Sequence, residues 1–142
     1  MKKIISENIT ISDDKSLLQL EVVHAYLTRS YWNEGIPIEF VKKAIDNSFC
    51  VGVYYEQMQI GFARVVTDFI MCAYLGDVFI LEEYRGKALS KHLMEFLLTH
   101  PELSNIKSWR LATKDAHSLY SKYGFSPVEK PERMMERKTK LW

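Results

Sequence analysis

Nothing in this sequence is present in excess, and its shortages narrow the possibilities. Charge of one sign is missing: the formal net charge is +1 at pH 7, so there is no basic field of the kind that gathers nucleic acid, and any binding to polyanions has to be local. Long apolar runs are missing too. None is long enough to span a bilayer, and Ser6, Glu7, Asn8 and Thr10 stand where a secretory leader would carry its apolar stretch after Lys2 and Lys3. The expected address is the cytoplasm, with no membrane partner. Cysteine is scarce. Cys50 and Cys72 have no CxxC spacing and no histidine at ligand spacing, which points to neither a disulfide framework nor a metal site. Both lie in apolar, strand-like contexts and are expected to be buried thiols. No repeat, low-complexity tract or linker-like segment interrupts the chain, and its 142 residues suit one core. A single domain over residues 1–142 is expected.

What the sequence does have is patterning. Residues 4–11 read as a short edge strand. Asp13 and Asp14 offer an N-cap to a helix whose positions Leu17, Leu20, His24 and Leu27 follow helical spacing, and which ends near Thr28. Pro37 in a first turn, with Ile38, Val41 and Ile45 on one face and Lys42, Lys43 and Asp46 opposite, predicts a second helix that stops by Asn47. Residues 49–55, 59–67 and 74–81 are rich in Val, Ile, Phe and Tyr and separated by polar breaks, which predicts an antiparallel meander. Leu89, Leu93, Phe96 and Leu97 then recur at helical spacing until Pro101. Residues 107–112 read as a strand. Asp115 reads as the cap of a short helix carrying Ala116, Leu119, Tyr120 and Tyr123, with Gly124 as the left-handed residue beyond its last turn. A final strand is expected within 131–140. This order predicts an α/β (α+β) domain around a mixed sheet.

The stretch GDVFILEEYRGKALSKHL, Gly76 to Leu93, runs from a strand through a turn into a helix. The free N–H groups of a first helical turn, with the positive end of the helix dipole, then face the end of a sheet. Gly86 allows close backbone approach, and Arg85 and Lys87 add charge suited to a phosphate or pyrophosphate. The same residues also fit an ordinary solvated turn made by its glycine. Neither GxxxxGK[ST] nor GxGxxG spacing is present.

VFILEEYRGKALSKHLMEFLL resembles the acyl-CoA-binding motif of the GNAT N-acetyltransferases, in which Arg or Gln is followed by two residues, Gly, one residue, then Gly or Ala. Arg85 matches the first position; Ala88 stands at the glycine and Ser90 at the Gly-or-Ala. Alanine and serine keep helical geometry there, so the amide cradle is expected to form. DAHSLYSKYGF is similar to the family's second motif, a short helix ending in Tyr, three residues, then Gly-Phe, matched by Tyr120, Gly124 and Phe125. The likeness covers nearly the whole chain. It implies a mostly antiparallel central sheet flanked by helices, with splayed strands forming an acyl-CoA cleft.

Resemblance further implies that acetyl-CoA is the cosubstrate. Its pyrophosphate would lie on the amides of Arg85, Gly86, Lys87, Ala88, Leu89 and Ser90, and its pantetheine arm along Val78, Phe79, Ile80 and Leu81. Thr113 stands where many members have a cofactor-contacting asparagine. The acceptor would be a primary amine of a small molecule or peptide, and homodimers are frequent among such proteins. Tyr120 matches the tyrosine that protonates the departing thiolate; a core tyrosine with its hydroxyl bonded elsewhere fits the same position. Asp77, a charge inside an apolar strand, is the first candidate for general base or, alternatively, a partner of Arg64. His117 and Asp68 follow. Tyr31 and Trp32 in TRSYWNEGIP, with Arg64 and Asp68, are candidate acceptor-binding residues; the aromatic pair also fits a plug over the sheet edge. Two other readings remain: a CoA-binding sensor or partner module without turnover, and an unrelated nucleotide-phosphate binder.

Overall fold

In the computed structural model, which describes residues 1–142, the chain divides into two compact units, Met1–Leu111 and Ala112–Trp142. The first unit opens with a hairpin, where a single edge strand is expected. Lys2–Ile4 (β1) and Ile9–Ser12 (β2) pair antiparallel, because the polar run Ser6, Glu7 and Asn8 breaks the strand. Asp14 caps only a 3-10 turn, Lys15–Leu17, accepting from the Ser16 N–H at 3.0 Å. The first α-helix, Leu20–Leu27 (α1), starts after Gln19, whose N–H donates to the buried Gln59 side chain at 2.7 Å. It stops at Thr28 as its spacing predicts. Ile38–Asp46 (α2) begins after Pro37 and ends at Asn47. Its inward stripe is Val41 and Ile45, while Ile38 is exposed.

The meander forms as expected from Phe49–Tyr55 (β3), Met58–Thr67 (β4) and Ala73–Ile80 (β5), all antiparallel. Leu89–Thr99 (α3) returns the chain to Trp109–Leu111 (β6), which pairs parallel with β5. The result is one six-stranded sheet in sequential order, β1 to β6. Its central strands are buried on both faces. On one face, Val23, Leu27, Ile36, Val41 and Ile45 pack with Cys50, Phe62 and Phe79; the alternate residues Val51, Val53, Ala63 and Val65 are fully buried as well, and α3 buries Leu89, Leu93, Met94, Phe96 and Leu97. Double-sided burial explains why these strands read as nearly continuous apolar runs. Cys50 is buried, and burial pushes its thiol up to about 11. Cys72 is exposed, against expectation, because it belongs to the β4–β5 turn and not to the strand after it.

The second unit holds one short helix, His117–Ser121 (α4). Asp115 does not cap it: the helix has no side-chain cap, and Thr113 Oγ1 accepts from the Ala116 N–H at 3.0 Å. The strand expected within 131–140 is absent. A 3-10 turn, Pro131–Arg133, is followed by chain without regular structure, since Met134, Met135 and the charged residues after them offer no alternating apolar face to bury.

Candidate active site

The Arg85–Lys91 segment carries the first half of the site. Gly86 has φ +82°, and Ala88, the N-cap of α3, has φ +59° and ψ +22°. Ala88 is therefore outside the helix, in the left-handed region, and the helical geometry expected for it does not apply. A glycine in the family motif at this position has a physical reason: a Cβ costs about 1–2 kcal/mol there. The first α3 hydrogen bond runs from the His92 N–H to the Ala88 carbonyl at 3.2 Å, so the N–H groups of Leu89, Ser90 and Lys91 precede the helical ladder. They form a donor set suited to an anion. The Arg85 side chain folds back instead. Its Nε donates to the Ile80 carbonyl at 3.0 Å and its Nη2 to the Tyr26 hydroxyl at 2.8 Å. Lys87 lies over the Tyr84 ring, 5.6 Å from its centroid. Beside them Glu82 pairs with Arg29 at 2.8 Å, which holds the Glu82 carboxyl below the usual range. Both are exposed, so this pair orders the turn more than it stabilises the fold.

The second half is the free edge of β5. Pairing with β6 runs Ala73↔Trp109, Tyr74↔Arg110 and Leu75↔Leu111 and then ends, so β5 from Gly76 onward is unpaired on that side. There the strand also bulges. Phe62 pairs Phe79 and Arg64 pairs Gly76, leaving Ala63 opposite both Asp77 and Val78. Asp77 takes φ +54° at this bulge. The Phe79 ring is buried and stacked on Tyr26, centroids 4.1 Å apart and planes 7° apart. Along Val78, Phe79 and Ile80, the main chain is what the edge presents.

Two of the residues singled out in the sequence, Trp32 and Arg64, meet at Asp77. Its Oδ1 accepts from Trp32 Nε1 at 2.9 Å and Asn33 Nδ2 at 3.1 Å, and its Oδ2 accepts from Arg64 Nε at 2.7 Å. Arg64 Nη1 donates in turn to Ser48 Oγ at 3.1 Å. The Asp77 side chain is only 6% exposed. Such a carboxylate, desolvated and taken up by three donors, is a structural hub. Trp32 and Tyr31 are both exposed, ring against edge at 5.0 Å. Asp68 is not part of this cluster. It lies beyond the end of β4, in the β4–β5 turn, and its Oδ1 accepts from the N–H groups of Ile70, Met71 and Cys72, which lower its carboxyl. Asn33, Ser48 and Tyr26 are parts of these networks that carry no motif of their own; Asn33 alone had a pointer, lying in the same polar-aromatic loop as Trp32.

In the second unit the Tyr-x-x-x-Gly-Phe motif has a local physical basis. The Phe125 N–H donates to the Tyr120 carbonyl at 3.3 Å and the Gly124 N–H to the Ser121 carbonyl at 3.2 Å, with Gly124 at φ +88° as its sequence position predicts. This is a Schellman ending, completed by the Tyr120 and Phe125 rings edge to face at 6.0 Å. His117 is exposed in the first turn of α4. A pocket of about 320 Å³, lined by Asp13, Lys15, Asp46, Ser48, Phe49 and Phe69 among others, contains none of the candidate catalytic, cofactor-binding or acceptor-binding residues.

The sequence pattern of the acetyltransferase (GNAT) domain matches residues 46–127. The chain belongs to the GNAT acetyltransferase family. It is similar to a solved GNAT-family structure from Xanthomonas campestris pv. campestris, described as an acetyltransferase on provisional grounds: 43% identical, TM-score 0.90, covering 92% of this chain and 93% of that one. A provisionally named acetyltransferase of Gibberella zeae is 28% identical over 79% of this chain and 75% of its own length. The fold is shared with a Clostridium acetobutylicum structure, described as a predicted acetyltransferase with acetyl-CoA, at 15% identity, TM-score 0.65 and coverage of 97% and 96%. No helix of this chain is long and apolar enough to cross a membrane.

Proposed function

We propose that this GNAT acetyltransferase moves an acetyl group from acetyl-CoA to a primary amine of a small molecule or peptide by direct attack. The observation that carries the reading is the end of β5–β6 pairing at Leu75↔Leu111, which leaves a strand edge next to an uncapped helix start. Amides from Gly86 to Ser90 suit a pyrophosphate, and an unpaired strand edge suits an amide-bearing arm such as pantetheine. Acetyl-CoA, when bound, supplies the activated acetyl thioester. Backbone N–H groups at the β5 bulge are the proposed donors to negative charge developing on the thioester carbonyl oxygen. Tyr120 is the proposed proton donor to the leaving thiolate, supported by its match to the family tyrosine and by the Schellman ending that fixes its helix turn. Asp77 and His117 are the basic groups proposed from sequence; the engagement of both Asp77 oxygens weighs against Asp77 taking the amine's proton.

The test is thiol release from acetyl-CoA across amines, amino acids, polyamines and peptides, with product masses measured. Acetylated product from one amine class supports the reading. CoA binding without transfer to any class favours the sensor module, and adenine-nucleotide binding indifferent to the pantetheine arm favours the phosphate binder.

A further inference from the structure

We infer that Asp77 is a positioning residue that fixes the acceptor-facing wall through Trp32, an inference resting on the acetyl-transfer reading. The α1–α2 loop is tied together locally: the Gly35 N–H donates to the Thr28 carbonyl at 2.8 Å and the Asn33 N–H to Ser30 Oγ at 3.1 Å. Its side chains Trp32 and Asn33 reach the sheet at one point, Asp77 Oδ1. Trp32 is 40% exposed, so packing alone does not fix its ring. The bond from its indole N–H to a buried carboxylate does, because a two-torsion side chain anchored at Nε1 has one plane to present.

Arg64 holds the carboxylate from the other side, and Ser48 holds Arg64. The hub sits on the β5 bulge, so one group ties the geometry of the strand edge to that of the loop. A general base needs a lone pair facing the amine. Here three of about four carboxylate acceptor sites are filled, and 6% exposure leaves no face for a substrate. The acceptor therefore meets Trp32 and Tyr31, and Asp77 acts on it through Trp32.

The experiment combines two readouts on the full chain. Three tryptophans give three indole N–H signals in a ¹H–¹⁵N spectrum, and the Trp32 signal is the one lost in Trp32→Phe. In Asp77→Asn that signal is expected to move upfield and exchange faster with solvent, as its anionic acceptor is lost. In steady-state kinetics with the amine found above, both Asp77→Asn and Trp32→Phe are expected to raise the amine KM about tenfold to 10²-fold. The acetyl-CoA KM is expected to stay within about twofold and kcat within about threefold. The double variant is expected to be no worse than the poorer single one. Trp32→Phe keeps an aromatic ring and leaves Asp77 its bonds from Asn33 and Arg64, so it gives an answer even where Asp77→Asn does not fold. An unmoved indole signal in folded Asp77→Asn, or an unmoved amine KM in Trp32→Phe, overturns the inference. So does a kcat loss of about 10²-fold or more in Asp77→Asn with the acidic limb of the kcat–pH profile gone, the mark of a general base. A wild-type enzyme that transfers to no amine defeats the acetyl-transfer reading instead, and the indole signal still decides whether Asp77 holds Trp32.

Discussion

Asp77 and Ala88 are both non-glycine residues with left-handed backbone, at φ +54° and +59°, and they sit in the two halves of the site. Asp77 is buried at a strand bulge and returns three side-chain hydrogen bonds for its conformation. Ala88 is exposed at a helix start and returns none, since α3 has no side-chain cap. Strain at the first position is compensated by a network. At the second it serves only to aim the amides that follow. The same backbone conformation is thus tied into a side-chain network at one position and left without one at the other.

Glycine at either position tests this contrast. Asp77→Gly relieves about 1 kcal/mol of backbone strain but leaves the largely buried Arg64 without its partner, which costs about 3–5 kcal/mol; urea denaturation is expected to show the net loss, and a variant as stable as the parent would remove the hub. Tyr120→Phe separates chemistry from structure in the other unit. With the phenol as proton donor, kcat is expected to fall about 10²-fold while melting temperature and acetyl-CoA affinity stay near the parent's; a near-parental kcat, where chemistry limits the rate, removes Tyr120 from the catalytic residues. Ala88→Gly is expected to stabilise the fold by about 1 kcal/mol and, by freeing space at the cradle, to tighten CoA binding. Calorimetry showing weaker binding in the folded variant would mean that the alanine methyl is accommodated.

The smallest expected effect lies in the β4–β5 turn. The N–H of Ile70, then those of Cys72 and Met71, lower Asp68 from its ordinary 3.8. A depressed carboxyl stabilises the fold above its unfolded pKa, and that contribution disappears as pH falls through the folded one. The melting-temperature gap between parent and Asp68→Asn is therefore expected at pH 6 and to close below about pH 4. A gap independent of pH would show that the charge plays no part in the turn.

Much of this organisation was legible in the sequence, and the gaps have physical causes. The bounds of α2 and the meander followed from Pro37, Asn47 and the Val/Ile/Phe/Tyr runs, because local propensity and burial agree there. Gly124 was legible because a Schellman ending demands its φ. Ala88 reads as helical in the sequence but is a left-handed cap, since nothing in an alanine marks that conformation. The Asp77 bulge was invisible because a bulge is a fact of register between two strands, and the donors it gathers come from positions 13 to 45 residues away in the chain. The last expected strand failed because charged residues around Met134 and Met135 give it no face to bury.

Thermal unfolding with cosubstrate fragments decides whether the Gly86–Ser90 amides and the β5 edge form an acyl-CoA cradle. Acetyl-CoA and CoA at about 100 times their Kd are expected to stabilise the fold by about 2.7 kcal/mol. Dephosphorylated pantetheine is expected to do so much less, because it lacks the anion proposed to sit on the α3 amides. No shift in melting temperature with millimolar CoA would mean that these amides and this strand edge hold no acyl-CoA.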